Sequence, residues 1–231
     1  MIKLICFVTR HPELGIDEFH ERWSTDHAPR VAANPATSGR LLRYELNRRK
    51  ARDYKRTETP YDGVAMQWYS SWNDFVVMLS DPAYAPLMED EQTLFDANGL
   101  MVLFTEPERV VIDGPKGPTK LVCGFPRRPG TTIDEFREHW RTGHAAVNRD
   151  TPSIARHILR YEQNERLDRD DERTDCPFDG VTVQWFASAG EFFTMATEPA
   201  YETVVAPDEA KLLDRDRLVW LLTEREQVIL G

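Results

Sequence analysis

Two histidines are the strongest candidates for chemistry in this chain of 231 residues. His27 and His144 each lie four residues after a tryptophan, Trp23 or Trp140, and they stand 117 residues apart. On a helix, this spacing places the imidazole one turn beyond the indole, at the end of an aromatic face. A histidine in an apolar pocket titrates near neutral pH and passes a proton in either direction. The competing interpretation is a histidine that bonds a backbone carbonyl and holds a helix end.

The residues beside the two histidines differ. Asp26 precedes His27 and Arg30 follows it by three positions, whereas Gly143 and Val147 stand in the equivalent places of the second copy. Asp26 points about 100° away around the helix, so Arg30 is the better partner. An arginine binds a carboxylate or a phenolate, and this combination suits proton transfer next to a carbonyl group. We therefore expect the first copy to be the working site.

Polar side chains within apolar, strand-like segments are the next candidates, and they also occur in pairs: Tyr44 with Tyr161, and Gln67 with Gln184. A buried phenol or amide needs a hydrogen-bond partner, which can be a substrate or a neighbouring strand. In the substrate interpretation, Tyr44 and Gln67 donate hydrogen bonds to a developing enolate-like oxygen. Side chains alternate along a strand, so the pattern leaves open whether Gln67 or its neighbour Trp68 faces the pocket.

Four tryptophans are candidate walls for an aromatic ligand: Trp23, Trp68, Trp140 and Trp185. Packing in the core is the competing interpretation for all four. The histidines and carboxylates lack the spacing of a metal site. The chain has no glycine-rich phosphate loop, serine elbow or cysteine–histidine arrangement. We therefore expect neither a metal nor a cofactor.

These residues belong to a segment that the chain contains twice. Residues 16–19, 42–45 and 60–64 recur as residues 133–136, 159–162 and 177–181. Two copies of this length indicate a fused dimer of one domain rather than a solenoid. A linker rich in proline and glycine, residues 113–118, separates them, so we place the domains at residues 1–114 and 119–231.

The pattern within one copy predicts the order βαββαβ. Strands are predicted at residues 2–8, 41–46, 64–69, 100–104 and 109–112. Helices are predicted over residues 17–33, from a cap at Ser71, and over residues 84–98. Such a unit forms a four-stranded antiparallel sheet with both helices on one face. Two of these sheets packed face to face would form a barrel within one chain and enclose a pocket.

Composition limits the classes of function. The net charge of −10 argues against a nucleic-acid partner, and the hydrophobic content of 41% indicates a globular protein. The basic segment at residues 48–56 is expected to be a solvated loop. Cys6, Cys123 and Cys176 predict reduced thiols of a cytoplasmic protein rather than disulfides. No leader and no apolar run of membrane-spanning length is found, so we expect no membrane association.

The motif Phe19-x3-Trp23-x3-His27-Ala28-Pro29, followed by Tyr61-Asp62-Gly63-Val64, resembles the EthD-like family of dimeric α/β-barrel proteins. The second copy resembles it through Phe136-x3-Trp140-x3-His144-Ala145, and together the copies cover nearly the whole chain. The resemblance implies an α+β fold of two tandem ferredoxin-like domains that pair their antiparallel sheets into an intrachain barrel. It also implies relatives that are cofactor-free dehydratases, decarboxylases, isomerases and monooxygenases acting on aromatic or polyketide-like molecules.

The leading hypothesis is a cofactor-independent lyase or isomerase for a small oxygenated aromatic or polyketide-like carbonyl compound. His27 is the acid/base, with His144 as its counterpart, and Arg30 fixes an anionic group. One alternative is a non-catalytic module that binds a hydrophobic ligand. Another is a monooxygenase or a haem-dependent oxidoreductase. The expected partner is a small aromatic molecule, with a homodimer of the fused barrel as a further association.

Overall fold

The computed structural model describes residues 1–171 and 173–231. Its first half follows the predicted βαββαβ order, with the second helical region split into two helices. The elements are β1 (Ile2–Arg10), α1 (Ile16–Arg22), α2 (Ala28–Ala33), β2 (Leu41–Arg48), β3 (Gly63–Tyr69), α3 (Trp72–Ser80), α4 (Ala85–Leu94), β4 (Phe95–Thr105) and β5 (Arg109–Ile112).

The second half repeats this order. Its elements are β6 (Thr119–Phe125), α5 (Ile133–His139), α6 (Ala145–Asp150), α7 (Pro152–Ala155), β7 (Arg160–Glu165), β8 (Gly180–Phe186), α8 (Ala189–Ala196), α9 (Ala206–Leu212), β9 (Val219–Glu224) and β10 (Gln227–Leu230). The α+β prediction of two tandem ferredoxin-like halves is confirmed.

Each half has one antiparallel five-stranded sheet, in the orders β10-β2-β3-β1-β4 and β5-β7-β8-β6-β9. The last strand of each repeat completes the sheet of the other repeat: β10 pairs with β2, and β5 pairs with β7. The chain accordingly forms two compact units. Unit 1 comprises Met1–Pro107 with Glu226–Gly231, and unit 2 comprises Glu108–Arg225. The fifth strand covers an edge that would otherwise present unpaired backbone groups.

The helix predicted over residues 17–33 contains a π-helical turn, Trp23–His27, between α1 and α2. Residues four apart overshoot the 3.6-residue turn of an α-helix. The wider π turn compensates for this, and both Trp23 and His27 are buried. The same turn recurs at Trp140–His144. Turns of this kind are frequent at functional sites.

The helix predicted over residues 84–98 ends earlier, because α4 stops at Leu94 and β4 begins at Phe95. Phe95 pairs with Arg10 of β1, so sheet pairing overrides the local helical pattern here. The ring of Phe95 lies edge-on to the imidazole of His27, with 5.6 Å between the ring centres. The end of α4 at Leu94 therefore places an aromatic ring beside the candidate base.

The basic loop at residues 48–56 is solvated only in part: Arg52 and Lys55 are exposed, as expected, whereas Arg49 is buried. Arg49 is 4% exposed, and its Nε lies 2.9 Å from Oδ2 of the buried Asp53. It also donates to backbone oxygens of Thr59 and Tyr61. A guanidinium with five donors satisfies these acceptors together and pins the loop to the start of β3.

Gly63 begins β3 directly beneath the ring of Trp23. A Cβ atom placed there would lie 2.5 Å from Cζ3 of Trp23 and 2.9 Å from the backbone oxygen of Asn47. Gly180 has the same relation to Trp140, also at 2.5 Å. The repeated Asp-Gly-Val motif thus needs glycine because an indole approaches the backbone too closely for any side chain.

We expect Gly63→Ala to lower the free energy of unfolding by about 1–3 kcal/mol, because a fully buried indole must move. Urea unfolding measures this loss. Gly180→Ala is the matched variant and should cost a similar amount. Only Gly63→Ala should also change ligand binding in unit 1, where Trp23 lines a cavity. Wild-type stability in both variants would contradict the packing argument.

Within residues 1–171 and 173–231, no helix combines the length and the apolarity required to cross a membrane. Cys6, Cys123 and Cys176 are free thiols.

Candidate active site

Unit 1 contains a cavity of about 190 Å³ between one face of its sheet and its helices. Most of its wall is apolar or aromatic, including Leu4, Val8, Trp23, Phe75, Met78, Phe95, Leu100 and Val102. The polar groups at the wall are Cys6, His27, Tyr44, Gln67, Tyr69, Tyr84 and Glu91. An apolar cavity with few convergent polar groups is the usual form of a small-molecule site.

His27 is held by a carboxylate of α4. Its Nδ1 lies 2.8 Å from Oδ2 of Asp90. Because the carboxylate accepts, Nδ1 carries the proton and Nε2 keeps its lone pair. Burial lowers the pKa of His27, although the hydrogen bond to Asp90 opposes the change. His27 is therefore a neutral imidazole with an acceptor nitrogen at neutral pH, as a general base requires.

Arg30 contacts Asp90 rather than the cavity. Its Nη1 lies 3.4 Å from Oδ2 of Asp90 and 3.5 Å from Oδ2 of Asp26. Arg22 approaches the other carboxylate oxygen of Asp90, at 3.9 Å. Two guanidinium groups therefore stabilise the charge of the carboxylate that orients His27. Asp26 is 58% exposed and touches only the outer side of this cluster.

Glu91 is a cavity residue that the sequence patterns did not single out, as are Tyr69 and Tyr84. Its Oε1 lies 3.9 Å from Nε2 of His27 and 3.5 Å from the hydroxyl of Tyr84. Burial raises the pKa of Glu91 to about 7; the hydrogen bond from Tyr84 lowers it and the charge of Asp90 raises it further. A carboxyl group that is partly protonated at neutral pH is a candidate general acid.

Tyr44 and Gln67 face the cavity together. The hydroxyl of Tyr69 donates to Oε1 of Gln67 at 2.7 Å, which leaves the NH2 group of Gln67 as a donor. Polar groups of Trp23 and Gln67 near the Tyr44 phenol act to lower its pKa, and burial outweighs them. Burial raises the pKa of Tyr44, so the phenol keeps its proton and can donate it in a hydrogen bond.

The tryptophans divide between two places. Trp23 lines the unit 1 cavity. Trp68 points to the opposite strand face from Gln67, where Nζ of Lys3 lies 4.5 Å from its ring centre. Trp185 has the same relation to Lys120, at 4.7 Å. The sequence left open which of the two residues faces the pocket; the structure shows that Gln67 does and Trp68 does not.

Cys6 lines the cavity as a thiol. Burial, followed by the nearby charge of Glu91, raises the pKa of Cys6 to about 12. A thiol with so high a pKa supplies almost no thiolate at neutral pH, so its contribution is apolar wall.

Unit 2 contains an equivalent but smaller cavity of about 110 Å³. Nδ1 of His144 lies 2.8 Å from Oδ2 of Asp208, and Nε2 of His139 lies 2.7 Å from the other oxygen. Burial acts to raise the pKa of Asp208, but the hydrogen bonds from both histidines outweigh it and the pKa is lowered. Gln184 also lines this cavity, whereas Trp140 and Tyr161 do not.

A repeated dipeptide in the sequence marks the carboxylates that the sequence analysis did not single out. Asp90-Glu91 recurs as Asp208-Glu209, at an offset of 118 rather than 117. A π-helical turn at Tyr201–Val205 accommodates the extra residue in unit 2. The hydroxyl of Tyr201 accordingly reaches Glu209 at 3.2 Å, as that of Tyr84 reaches Glu91.

The size of the unit 1 cavity limits its ligand. A cavity of about 150 Å³ is known to bind benzene, so one of about 190 Å³ suits a compound with about one ring. A haem would require this cavity to enlarge. Among the described residues, no group of three or more His, Cys, Asp or Glu side chains is arranged to hold a metal ion.

Comparison with known proteins gives a family and a fold. A model of the EthD domain matches residues 11–98 and 128–216. No curated protein sequence matches the chain. An anthrone oxidase-like protein has a TM-score of 0.65 at 11% identity, covering 99% of this chain and 92% of that one.

Two further solved structures are similar over nearly their whole length. A mutant chlorite dismutase from Candidatus Nitrospira defluvii has a TM-score of 0.56 at 13% identity, covering 96% of this chain and 91% of that one. A candidate monooxygenase from Lactobacillus acidophilus NCFM has a TM-score of 0.53 at 9% identity, covering 98% and 94%. At such low identities these similarities show the fold alone.

Proposed function

Because the chain belongs to the EthD domain family, with two copies of the domain in tandem, we propose that unit 1 is a cofactor-independent acid–base enzyme. It is a lyase or an isomerase for a small oxygenated aromatic or related carbonyl compound. The observation that carries the proposal is the pairing of His27 Nε2 with Glu91 Oε1, 3.9 Å apart at the wall of an apolar cavity. One group is an open base, and the other is a carboxyl group with a pKa of about 7.

The reaction begins when Nε2 of His27 takes a proton from the carbon next to the substrate carbonyl. The electron pair of that C–H bond forms a carbon–carbon double bond, and the π pair of the carbonyl group moves to its oxygen, which gives an enolate. Tyr44 and the NH2 group of Gln67 stabilise the oxygen by donating hydrogen bonds, which are strong in an apolar cavity. Asp90 stabilises the imidazolium that forms, because its carboxylate is already bonded to Nδ1.

Protonated Glu91 completes the reaction. If the enolate is conjugated with a further double bond, donation of this proton to the far end of the conjugated system gives an isomer. Donation of the Glu91 proton to a leaving hydroxyl group instead allows the C–O bond to break and water to depart, which is a dehydration. In a decarboxylation, the same acid protonates the carbanion that remains after carbon dioxide leaves.

A substrate-independent test is proton exchange at an acidic carbon. Phenylacetone has one ring and benzylic hydrogens beside a carbonyl, so it matches the proposed cavity. We expect the wild-type protein in D2O to catalyse deuterium incorporation at the benzylic carbon, followed by ¹H NMR. His144→Ala should retain the exchange, and His27→Ala should lose it. Exchange at the uncatalysed rate across a panel of single-ring ketones would contradict the proposal.

Oxygenation is the second candidate, favoured by the similarity in fold to an anthrone oxidase-like protein and a candidate monooxygenase. It shares the first step, because deprotonation by His27 produces an electron-rich carbanion or phenolate. Molecular oxygen would then be the oxidant and the substrate would supply all four electrons: a ring C–H of a phenol becomes a quinone carbonyl, one oxygen atom is inserted and the other leaves as water. Oxygen uptake with small phenols that disappears in His27→Ala would select this candidate. Exchange without uptake would select the lyase or isomerase.

The pH dependence should be bell-shaped, because the two groups must hold opposite protonation states. His27 must be neutral, and its pKa lies below the ordinary 6.5. Glu91 must be protonated, and its pKa is about 7. We therefore expect kcat/KM to fall as the pH drops below 6.5, because His27 becomes protonated. It should also fall as the pH rises past about 7, because Glu91 loses its proton. Glu91→Gln should lose the alkaline limb; an unchanged limb would exclude Glu91 as the acid.

Glu91 should also impose a pH-dependent loss of stability. Its folded pKa of about 7 exceeds the value of about 4.3 in an unfolded chain. The folded state therefore binds the proton more tightly, so stability is greatest below about pH 4 and falls as the pH rises toward 7. We expect Glu91→Gln to raise the melting temperature relative to wild type at pH 8. The difference should shrink at pH 4 if Glu91 causes it.

A further inference from the structure

One buried position separates the two histidine sites. It holds Val31 in unit 1 and Asn148 in unit 2, each four residues after the histidine. In unit 1, where a valine side chain cannot donate a hydrogen bond, Nε2 of His27 lies 3.9 Å from the carboxyl oxygen of Glu91. The amide nitrogen of Asn148, in contrast, lies 3.1 Å from Nε2 of His144 and 3.0 Å from the backbone oxygen of the same residue.

The direction of these hydrogen bonds follows from the chemistry of the acceptors. A backbone carbonyl only accepts, so the atom of Asn148 that contacts it is the donating NH2 group. Asp208 accepts the proton on Nδ1 of His144, which leaves Nε2 of the same ring as an acceptor. Asn148 therefore occupies the lone pair that a base would use. His144 has a carboxylate partner equivalent to that of His27, but its second ring nitrogen already accepts a hydrogen bond.

A second difference gives the phenol of Tyr161 a hydrogen-bond partner inside unit 2. Leu46 of unit 1 is replaced in unit 2 by Gln163, whose Nε2 lies 3.1 Å from the hydroxyl of Tyr161 and 2.8 Å from the backbone oxygen of Trp140. Tyr161 does not line the unit 2 cavity, whereas Tyr44 lines the unit 1 cavity. Unit 2 thus satisfies internally the polar groups that unit 1 leaves facing its cavity.

We propose that unit 2 holds a latent acid–base site, which Asn148 closes to ligands that must donate a hydrogen bond to the imidazole. Small aromatic O–H donors, of which phenol is the simplest, are the ligand class that the open site takes. The difference between Val31 and Asn148 decides which copy binds them. This proposal depends on the proposed function in one respect, namely that the unit 1 cavity is the working site.

Phenol binding to protein labelled with ¹⁵N in its histidine rings tests this without requiring turnover. In the wild type, we expect phenol to shift the Nε2 resonance of His27 and leave that of His144 unchanged. Asn148→Ala removes the donor and enlarges the smaller cavity, so phenol should then shift both resonances. Asn148→Val copies unit 1 and guards against loss of the fold, checked by circular dichroism. Val31→Asn should abolish the response of His27.

The phenol-free spectra are the second readout. The Nε2 resonance of His144 should move when Asn148 is replaced, because its hydrogen-bond donor is lost. An unmoved resonance would overturn the proposal, as would a response of His144 to phenol in the wild type. So would folded Asn148→Ala and Asn148→Val proteins in which His144 ignores phenol. A response of His144 in these variants, with His27 silent in the wild type, would support the latent site and contradict the proposed function of unit 1.

Discussion

His27→Ala should reduce the rate of proton exchange, and of turnover once a substrate is found, by about 10²–10⁴-fold, the usual contribution of a general acid–base group. The reason is geometric, because Nε2 of His27 is the imidazole nitrogen that faces the unit 1 cavity with an open lone pair. The loss should appear in kcat, since the proton moves in the transition state. The rate of deuterium incorporation measures it directly.

His144→Ala is the matched control, because it removes the equivalent imidazole from a site that Asn148 already occupies. It should leave the rate unchanged and lower the melting temperature as much as His27→Ala does. If His27→Ala lowered stability alone and retained the exchange rate, the protein would instead be a binding module whose histidines hold helices. Equal loss of rate in both variants would show that both units act.

Asp90→Asn should approach the effect of His27→Ala, with a loss of roughly 10²–10⁴-fold, as in triads whose aspartate is replaced. The NH2 group of asparagine can donate to Nδ1 of His27 and so move the ring proton to Nε2. The lone pair that accepts the substrate proton is then lost, and the charge that stabilises the imidazolium is lost with it. Exchange kinetics at neutral pH measure the effect.

The corresponding control is Asp208→Asn, which disturbs His144 and His139 but not unit 1. It should leave exchange intact. The double variant His27→Ala with Asp90→Asn should be no slower than His27→Ala alone, because the aspartate acts through the histidine. A further large loss in the double variant would mean that Asp90 has a role of its own in the reaction.

Arg30 illustrates how a residue can be important for a reason other than the expected one. We expected it to bind an anionic substrate, and the structure places it on the outer side of Asp90 instead. Only the first copy has this arginine, and the first copy is also the one whose histidine site is open. In unit 2, Val147 takes its place and His139 takes that of Arg22, so the carboxylate of Asp208 bonds two imidazoles rather than lying near two guanidinium groups.

The sequence alone determined the duplication, the α+β order of each copy and the buried stripe that carries Trp23 and His27. These features are local: they depend on the spacing of apolar residues along a helix or strand, which neighbouring residues establish whatever the rest of the chain does. It also distinguishes His27 and His144 from the other histidines, because only these two occupy equivalent places in both copies.

The tertiary structure alone decided which groups surround His27. Asp90 reaches it from 63 residues away, and Glu91 joins it because α4 packs over the same sheet face. The exchange of β5 and β10 and the inward orientation of Gln67 were likewise fixed by pairing between distant strands. The repeated Asp-Glu dipeptide marks the two carboxylates in the sequence. Hydrogen bonds and burial between elements far apart in the chain have no spacing rule, so the roles of Glu91, Asp90 and the blocking amide of Asn148 became visible only in the fold.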